Sequence, residues 1–217
     1  MANWIDISQP LSPQIAHWPG DTPFQYQLTA SIEETKSVNI GNIHTSLHIG
    51  THIDAPYHFS ATGKTVGQLS IEPYIGRAVV IDVSDTETIN AQVLAAMDWS
   101  KSTKRVLLHT SLENEPNRFP VKLPYLDPNI APFLQAKGVQ LLGVDMPSVD
   151  APDSKDLATH HALAAHGIYI LENVMLDRVP VGEYELIALP LSIQGADASP
   201  VRAVIRPLKK GGMGNDR

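Results

Sequence analysis

Three of the nine histidines and one aspartate fall within eleven residues, in His48-Ile-Gly-Thr-His-Ile-Asp-Ala-Pro-Tyr-His58. Imidazole nitrogens and carboxylate oxygens are the donors with which proteins hold zinc or manganese, and such an ion can activate water for hydrolysis. The chain has no cysteine, so disulfides and thiolate metal sites are excluded and any metal must be held by His, Asp or Glu. A helix would put His48 and His52 on one face, but Gly50, the β-branched Thr51 and Ile53, and Pro56 all disfavour a helix here. A strand fits better. Leu47, Ile49 and Ile53 then point one way, and Ser46, His48, Gly50, His52 and Asp54 the other. On a straight strand His48 and Asp54 would be about 20 Å apart, whereas metal–ligand bonds are about 2 Å long. The chain must therefore bend. Gly50 permits the bend, and Pro56 fixes an exit that can return His58 to the same pocket.

The elements that must position these groups follow a mixed α/β pattern, β-rich at its beginning and end and alternating in the middle. Trp4–Ser8 and Phe24–Ala30 read as strands, punctuated by prolines 10, 13, 19 and 23. Ala78–Val83 is a continuous apolar run, as expected of a strand covered on both faces. Helix Asn90–Met97, strand Val106–His109, helix Ile130–Lys137 stopped by Gly138, and strand Val139–Asp145 follow. Helix Asp156–His166 stops at Gly167, and strands Ile168–Leu171, Tyr184–Leu191 and Val201–Ile205 complete the pattern. The connections 112–128 and 147–155 are long, and connections of that length often line functional sites.

A length of 217 residues suits one domain, expected over residues 1–208, with 209–217 as a flexible tail. The net charge of −7 argues against a nucleic-acid or anionic-membrane partner, because either would need a basic face. There is no signal-peptide pattern and no apolar run near the roughly 20 residues of a membrane span, so a cytoplasmic enzyme is expected.

The segment from His48 to His58 resembles the H-x-G-T-H-x-D-x-P-x-H signature of the metal-dependent, cyclase-like hydrolases. The resemblance extends along nearly the whole chain, through Trp18-Pro-Gly-Asp21, Gly143-Val-Asp-Met-Pro-Ser-Val-Asp150, Asp153-Ser-Lys155 and Glu172-Asn-Val174. It continues through Tyr184-Glu-Leu-Ile-Ala-Leu-Pro-Leu191 and Ala198-Ser-Pro-Val-Arg-Ala-Val204, and these later stretches favour the formamidase branch. The resemblance implies a swivelling β/β/α-type domain with a mixed sheet and flanking helices, a homodimer, and two zinc ions per subunit. His48, His52 and Asp54 would bind one zinc, Asp54 would bridge to the second, His160 would ligate the second, and Glu172 would contact both. Trp18 matches an aromatic residue that packs against substrate, and His58 the catalytic histidine. In Thr159-His-His161 either histidine could turn inward, and His160 is the expected ligand.

The implied reaction is hydrolysis of an aryl formamide, N-formyl-L-kynurenine, to L-kynurenine and formate, a step of tryptophan degradation. Nitrogen and oxygen donors suit zinc without excluding manganese. His58 would take a proton from the attacking water and deliver it to the leaving nitrogen, and Trp18 offers a flat apolar partner to an aryl ring. Asp145, in the Gly-Val-Asp-Met-Pro loop, is a further expectation, as a group orienting a ligand. His17, His44, His109 and His166 lack motif support and read as structural. Two alternatives stand: a sister hydrolase of another aryl or cyclic amide such as isatin, and a non-catalytic metal- or ligand-binding protein.

Overall fold

Strands with continuous apolar runs must be covered on both faces, and four strands carrying such runs form the centre of this fold. In the computed structural model, residues 3–97, 99 and 103–208 are described; the expected tail at 209–217 lies outside them. In chain order the strands are β1 (Ile5–Asp6), β2 (Gln25–Ala30), β3 (Ile40–His44), β4 (His52–Asp54), β5 (Ile75–Asp82), β6 (Thr88–Ile89) and β7 (Arg105–His109). They continue as β8 (Tyr125–Leu126), β9 (Leu141–Val144), β10 (Tyr169–Glu172), β11 (Gly182–Ile187), β12 (Ala198–Pro200) and β13 (Val204–Pro207). The α-helices are short: α1 (Ile32–Thr35), α2 (Ala91–Ala95), α3 (Ile130–Ala136) and α4 (Ala158–Ala165).

Nine strands make one mixed sheet in the order β1-β13-β11-β5-β7-β9-β10-β4-β12. Its centre, β5-β7-β9-β10, is parallel, and antiparallel strands extend it on both sides. Alternate residues of the central strands enter two different cores. Val79, Ile81, Val106, Leu108, Leu142 and Val144 pack under the helices with Leu94, Ile130, Leu134 and Leu163. Val80, Leu107, Leu141 and Leu171 face the other way, where no α-helix covers them. Ile53 from β4, near one end of the sheet, shares that second core with Leu186 and Ile205 from the other end. A flat sheet could not bring them together, so the sheet curls around this core. Close approach is built in: a Cβ on Gly143 of β9 would lie 2.3 Å from the Leu107 side chain.

The α/β expectation holds, as one domain with a mixed sheet and few helices. Two local expectations change. The segment 47–51 is not a strand; only His52–Asp54 has strand pairing, and residues 49–55 are buried on both sides rather than on one. Helix α4 begins at Ala158 rather than Asp156, because Leu157 at its start has a positive φ of 43° and offers no side-chain cap. The cap comes from eight residues before the helix start, since the Asp150 carboxylate accepts from the Thr159 and His160 backbone N–H groups, each at 3.0 Å. The hairpin β2–β3 pairs only with itself and exposes Tyr26, Ile40 and Ile43.

Candidate metal centre and active site

The register of the sheet assembles the inner part of the site. In the β10–β4 pairing Glu172 lies opposite His52, so their side chains share a face. In the β12–β4 pairing Ala198 lies opposite Asp54, which brings Asp197 alongside. The bend expected at Gly50 is present. Its φ is +56°, a Cβ there would meet Leu11 at 2.8 Å, and its carbonyl accepts from Asn173 Nδ2 at 3.1 Å. The turn returns His48 to the strand, so that His48 Nδ1 lies 2.9 Å from Asp54 Oδ1.

Each of three histidines is held by one ring nitrogen and aims the other inward. His52 Nδ1 lies 2.8 Å from the Gly50 carbonyl oxygen, an acceptor only, so this nitrogen carries the proton and Nε2 presents its lone pair. His160 Nδ1 donates to Asp150 Oδ2 at 2.6 Å, and its Nε2 sits 3.2 Å from Asp54 Oδ2. His48 Nε2 donates to Asp197 Oδ2 at 3.0 Å, leaving Nδ1 to face Asp54. The two buried carboxylates divide their oxygens in the same way. Asp54 turns Oδ1 to His48 and His52 and Oδ2 to His160. Glu172 turns Oε2 to His52 Nε2 at 3.3 Å and Oε1 towards His160 Nε2 at 3.8 Å.

Electrostatics mark the same point. Burial would lower the His52 pKa, but Asp54 and Glu172 outweigh it and lift it to about 10. Burial is likewise overcome at His160 by Asp150 and Asp54, to about 10, and at His48 by Asp197 and Asp54, to about 9. At Asp54 the histidines override burial and hold the carboxyl well below its usual range, whereas burial and the Asp54 charge push Glu172 up. The carboxylates thus favour positive charge here strongly enough to outweigh the burial of three imidazoles. A dication meets that demand and leaves the imidazoles neutral, as ligands must be.

The residues fit a metal on a second ground. His52 Nε2 and Asp54 Oδ1 are buried without a hydrogen-bond partner, although an unmade bond at a buried polar atom costs about 1–3 kcal/mol. His48, His52 and Asp54 form one group whose donor atoms all lie within 4.8 Å of one another, and Asp54, His58 and His160 form a second. Asp54 belongs to both.

Above this cluster opens a cavity of about 310 Å³. His58 lies at its wall, 32% exposed, with its ring centroid 4.0 Å from that of His48 and 5.9 Å from that of His160. Burial, reinforced by His48 and His160 and only partly offset by Asp54, pulls its pKa down to about 4, so it is a free base at neutral pH. Trp18 meets Phe119 edge to face at 5.3 Å, and both line the cavity. Both long connections line the cavity, through residues such as Asn114, Arg118 and Phe119 from one and Ser148 and Ser154 from the other.

All seven residues singled out from the sequence therefore line one cavity: His48, His52, Asp54, His58, His160 and Glu172 in or beside the cluster, and Trp18 elsewhere in the lining. Of the two neighbouring histidines, His160 is 2% exposed and faces the cluster, while His161 is exposed and lies edge-on to Phe59. Asp145 departs from expectation. Its carboxylate accepts from the Thr110 N–H at 2.8 Å and from Thr110 Oγ1 at 2.6 Å, and so shapes the start of the 110–120 connection rather than orienting a histidine. That orienting position belongs to Asp150 and Asp197, which the sequence reading missed. Asp150 carried a signal, ten residues before His160 at the end of a stretch already singled out; Asp197 carried none. His17, read as structural, lines the cavity, whereas His166 caps its own helix through Ala162 O.

Among known proteins, the Cyclase family profile matches residues 5–151. Kynurenine formamidase from Bacillus thuringiensis (strain Al Hakam) is 55% identical over 207 residues, 95% of this chain and 99% of the relative. Kynurenine formamidase from Bacillus anthracis is 54% identical over the same span. Isatin hydrolase A from Labrenzia aggregata superposes with a TM-score of 0.81 at 23% identity, covering 96% of this chain and 94% of that one, a likeness of fold. The chain belongs to the Cyclase family. Kynurenine formamidases are among the relatives it matches nearly end to end in sequence.

Proposed function

We propose that this protein is a metal-dependent arylformamidase that hydrolyses N-formyl-L-kynurenine to L-kynurenine and formate. The observation that carries the reading is the pair of carboxylates, Asp54 and Glu172, each dividing its oxygens between different inward-facing histidines at the floor of the cavity. Such an arrangement suits two cations, with His48 and His52 on one, His160 on the other, and Asp54 and Glu172 shared. Zinc matches the donor set best, and manganese is compatible with it. Bound there, the metal would supply Lewis acidity and a water acidic enough to attack near neutral pH.

The remaining steps fall to the chain. Trp18 and Phe119, paired edge to face in the cavity lining, offer the aryl ring an apolar partner. His58, neutral at pH 7, accepts a proton from the attacking water as its oxygen bonds to the formyl carbon. It then delivers that proton to the aryl nitrogen as the carbon–nitrogen bond breaks, which spares the departure of an arylamine anion. Formate and the free aryl amine are the products. Arg118 is the one arginine or lysine among the described residues lining the cavity, and it suits the α-carboxylate of an amino-acid substrate. Isatin has no such group.

The proposal includes a homodimer on a swivelling β/β/α-type scaffold and a cytoplasmic location; among the described residues no helix is long and apolar enough to cross a membrane. The test is metal content per chain together with turnover of formylkynurenine and isatin side by side. Two zinc ions per chain, activity lost on chelation and restored by zinc, and preference for formylkynurenine are the expected results. Full turnover after complete demetallation, or none with the metal bound, overturns the reading.

A further inference from the structure

We propose that Asp197 is a positioning residue that fixes the orientation of His48 through one carboxylate oxygen and presents the charge of that oxygen to His58. Asp197 Oδ2 lies 3.0 Å from His48 Nε2 and 3.9 Å from His58 Nδ1. The two imidazole centroids are 4.0 Å apart, so the oxygen that accepts from His48 also faces the ring of His58. The backbone that carries this carboxylate is itself fixed. Ala55 N donates to the Asp197 carbonyl at 2.9 Å, Val66 N donates to that of Ala196 at 2.8 Å, and Ala198 begins the strand paired with Asp54.

Two consequences follow, one for each ring. For His48, an acceptor at Nε2 puts the proton there and leaves Nδ1 as the lone-pair nitrogen facing Asp54, the role that Asp150 has for His160 and the Gly50 carbonyl for His52. For His58 the contact is an ion-pair distance rather than a hydrogen bond. It becomes favourable only when His58 carries the proton in transit, between abstraction from water and delivery to nitrogen. Asp197 thereby couples the ligand set to the proton carrier.

The inference rests on the reading of His48 as a ligand and His58 as the proton carrier, and its test separates the two levels. Zinc affinity is measured on the purified, metal-free protein by competition with a chromophoric chelator, and kcat and KM are measured on the zinc-loaded protein. Asp197→Ala removes acceptor and charge, and the zinc Kd is expected to rise about 10- to 100-fold, with kcat falling at least about tenfold and KM unchanged within twofold. Asp197→Asn keeps the size and one acceptor oxygen, so its zinc Kd stays close to wild type while kcat still falls, because the charge facing His58 is gone. A purely structural residue would instead move the melting temperature and leave both quantities alone. Wild-type zinc Kd and kcat in a folded Asp197→Ala protein overturn the proposal. If that variant does not fold, wild-type kcat in Asp197→Asn overturns it. A wild-type protein that binds no zinc or turns over no formamide removes the functional reading instead.

Discussion

The floor and the walls of the cavity are built on different principles. The centre of the floor is sheet: His52, Asp54 and Glu172 sit on the paired strands β4 and β10, each no more than 3% exposed, with His48 on the turn before β4 and His160 on α4 completing it. The walls are loop: Trp18, Arg118, Phe119 and His58 come from connections or a single 3-10 turn, and all are partly accessible. Charges that must converge within a few ångströms need the stiffness of register, because a misplaced charge in a buried site costs several kcal/mol. Groups that meet a substrate can tolerate small movements, and loops also admit and release it.

Substitutions should divide along that line. Glu172→Gln keeps the shape and removes a charge from the floor; kcat is expected to fall by about 10⁴-fold or more, with loss of bound metal. Metal analysis beside kinetics checks this, and a fully loaded, active variant would erase the distinction between floor and wall. His58→Ala, on the wall, should lower kcat by about 10²- to 10⁴-fold while metal content stays at wild type. Lost metal in that variant would move His58 to the floor. Trp18→Ala removes one aromatic contact worth about 0.5–1.5 kcal/mol, so KM should rise by up to about tenfold with kcat nearly constant. The smallest effect is expected at Arg118, which is exposed. Arg118→Ala should raise KM for formylkynurenine by about fivefold or less, and leave an aryl formamide without the amino-acid group unaffected. Equal changes for both substrates would separate Arg118 from carboxylate recognition.

Legibility in the sequence followed the same division. The bend at Gly50 could be deduced, because ligand bonds of about 2 Å cannot be met from both ends of a straight strand, and a positive φ is found there. The central strands were readable as continuous apolar runs, and the long connections as site-lining loops. The strand inferred for residues 47–51 did not form, since the chain turns at Gly50, whose φ is +56°, before strand pairing begins at His52. Asp145 was readable as a polar residue ending a buried strand, but its partner Thr110 lies on a neighbouring strand's exit. Asp197 gave no local sign at all.

By itself the sequence determined the donor types, the exclusion of thiolate chemistry, the bend that folds His48 back on Asp54, and the family to which the chain belongs. Those are properties of residue type and short-range geometry. Only the tertiary structure decided that His160 rather than His161 faces the cluster, that Glu172 lies opposite His52, and that Asp150 and Asp197 hold the outer nitrogens. Each of the two strand contacts depends on register between segments more than a hundred residues apart, and a shift of one residue would turn those side chains to the other face.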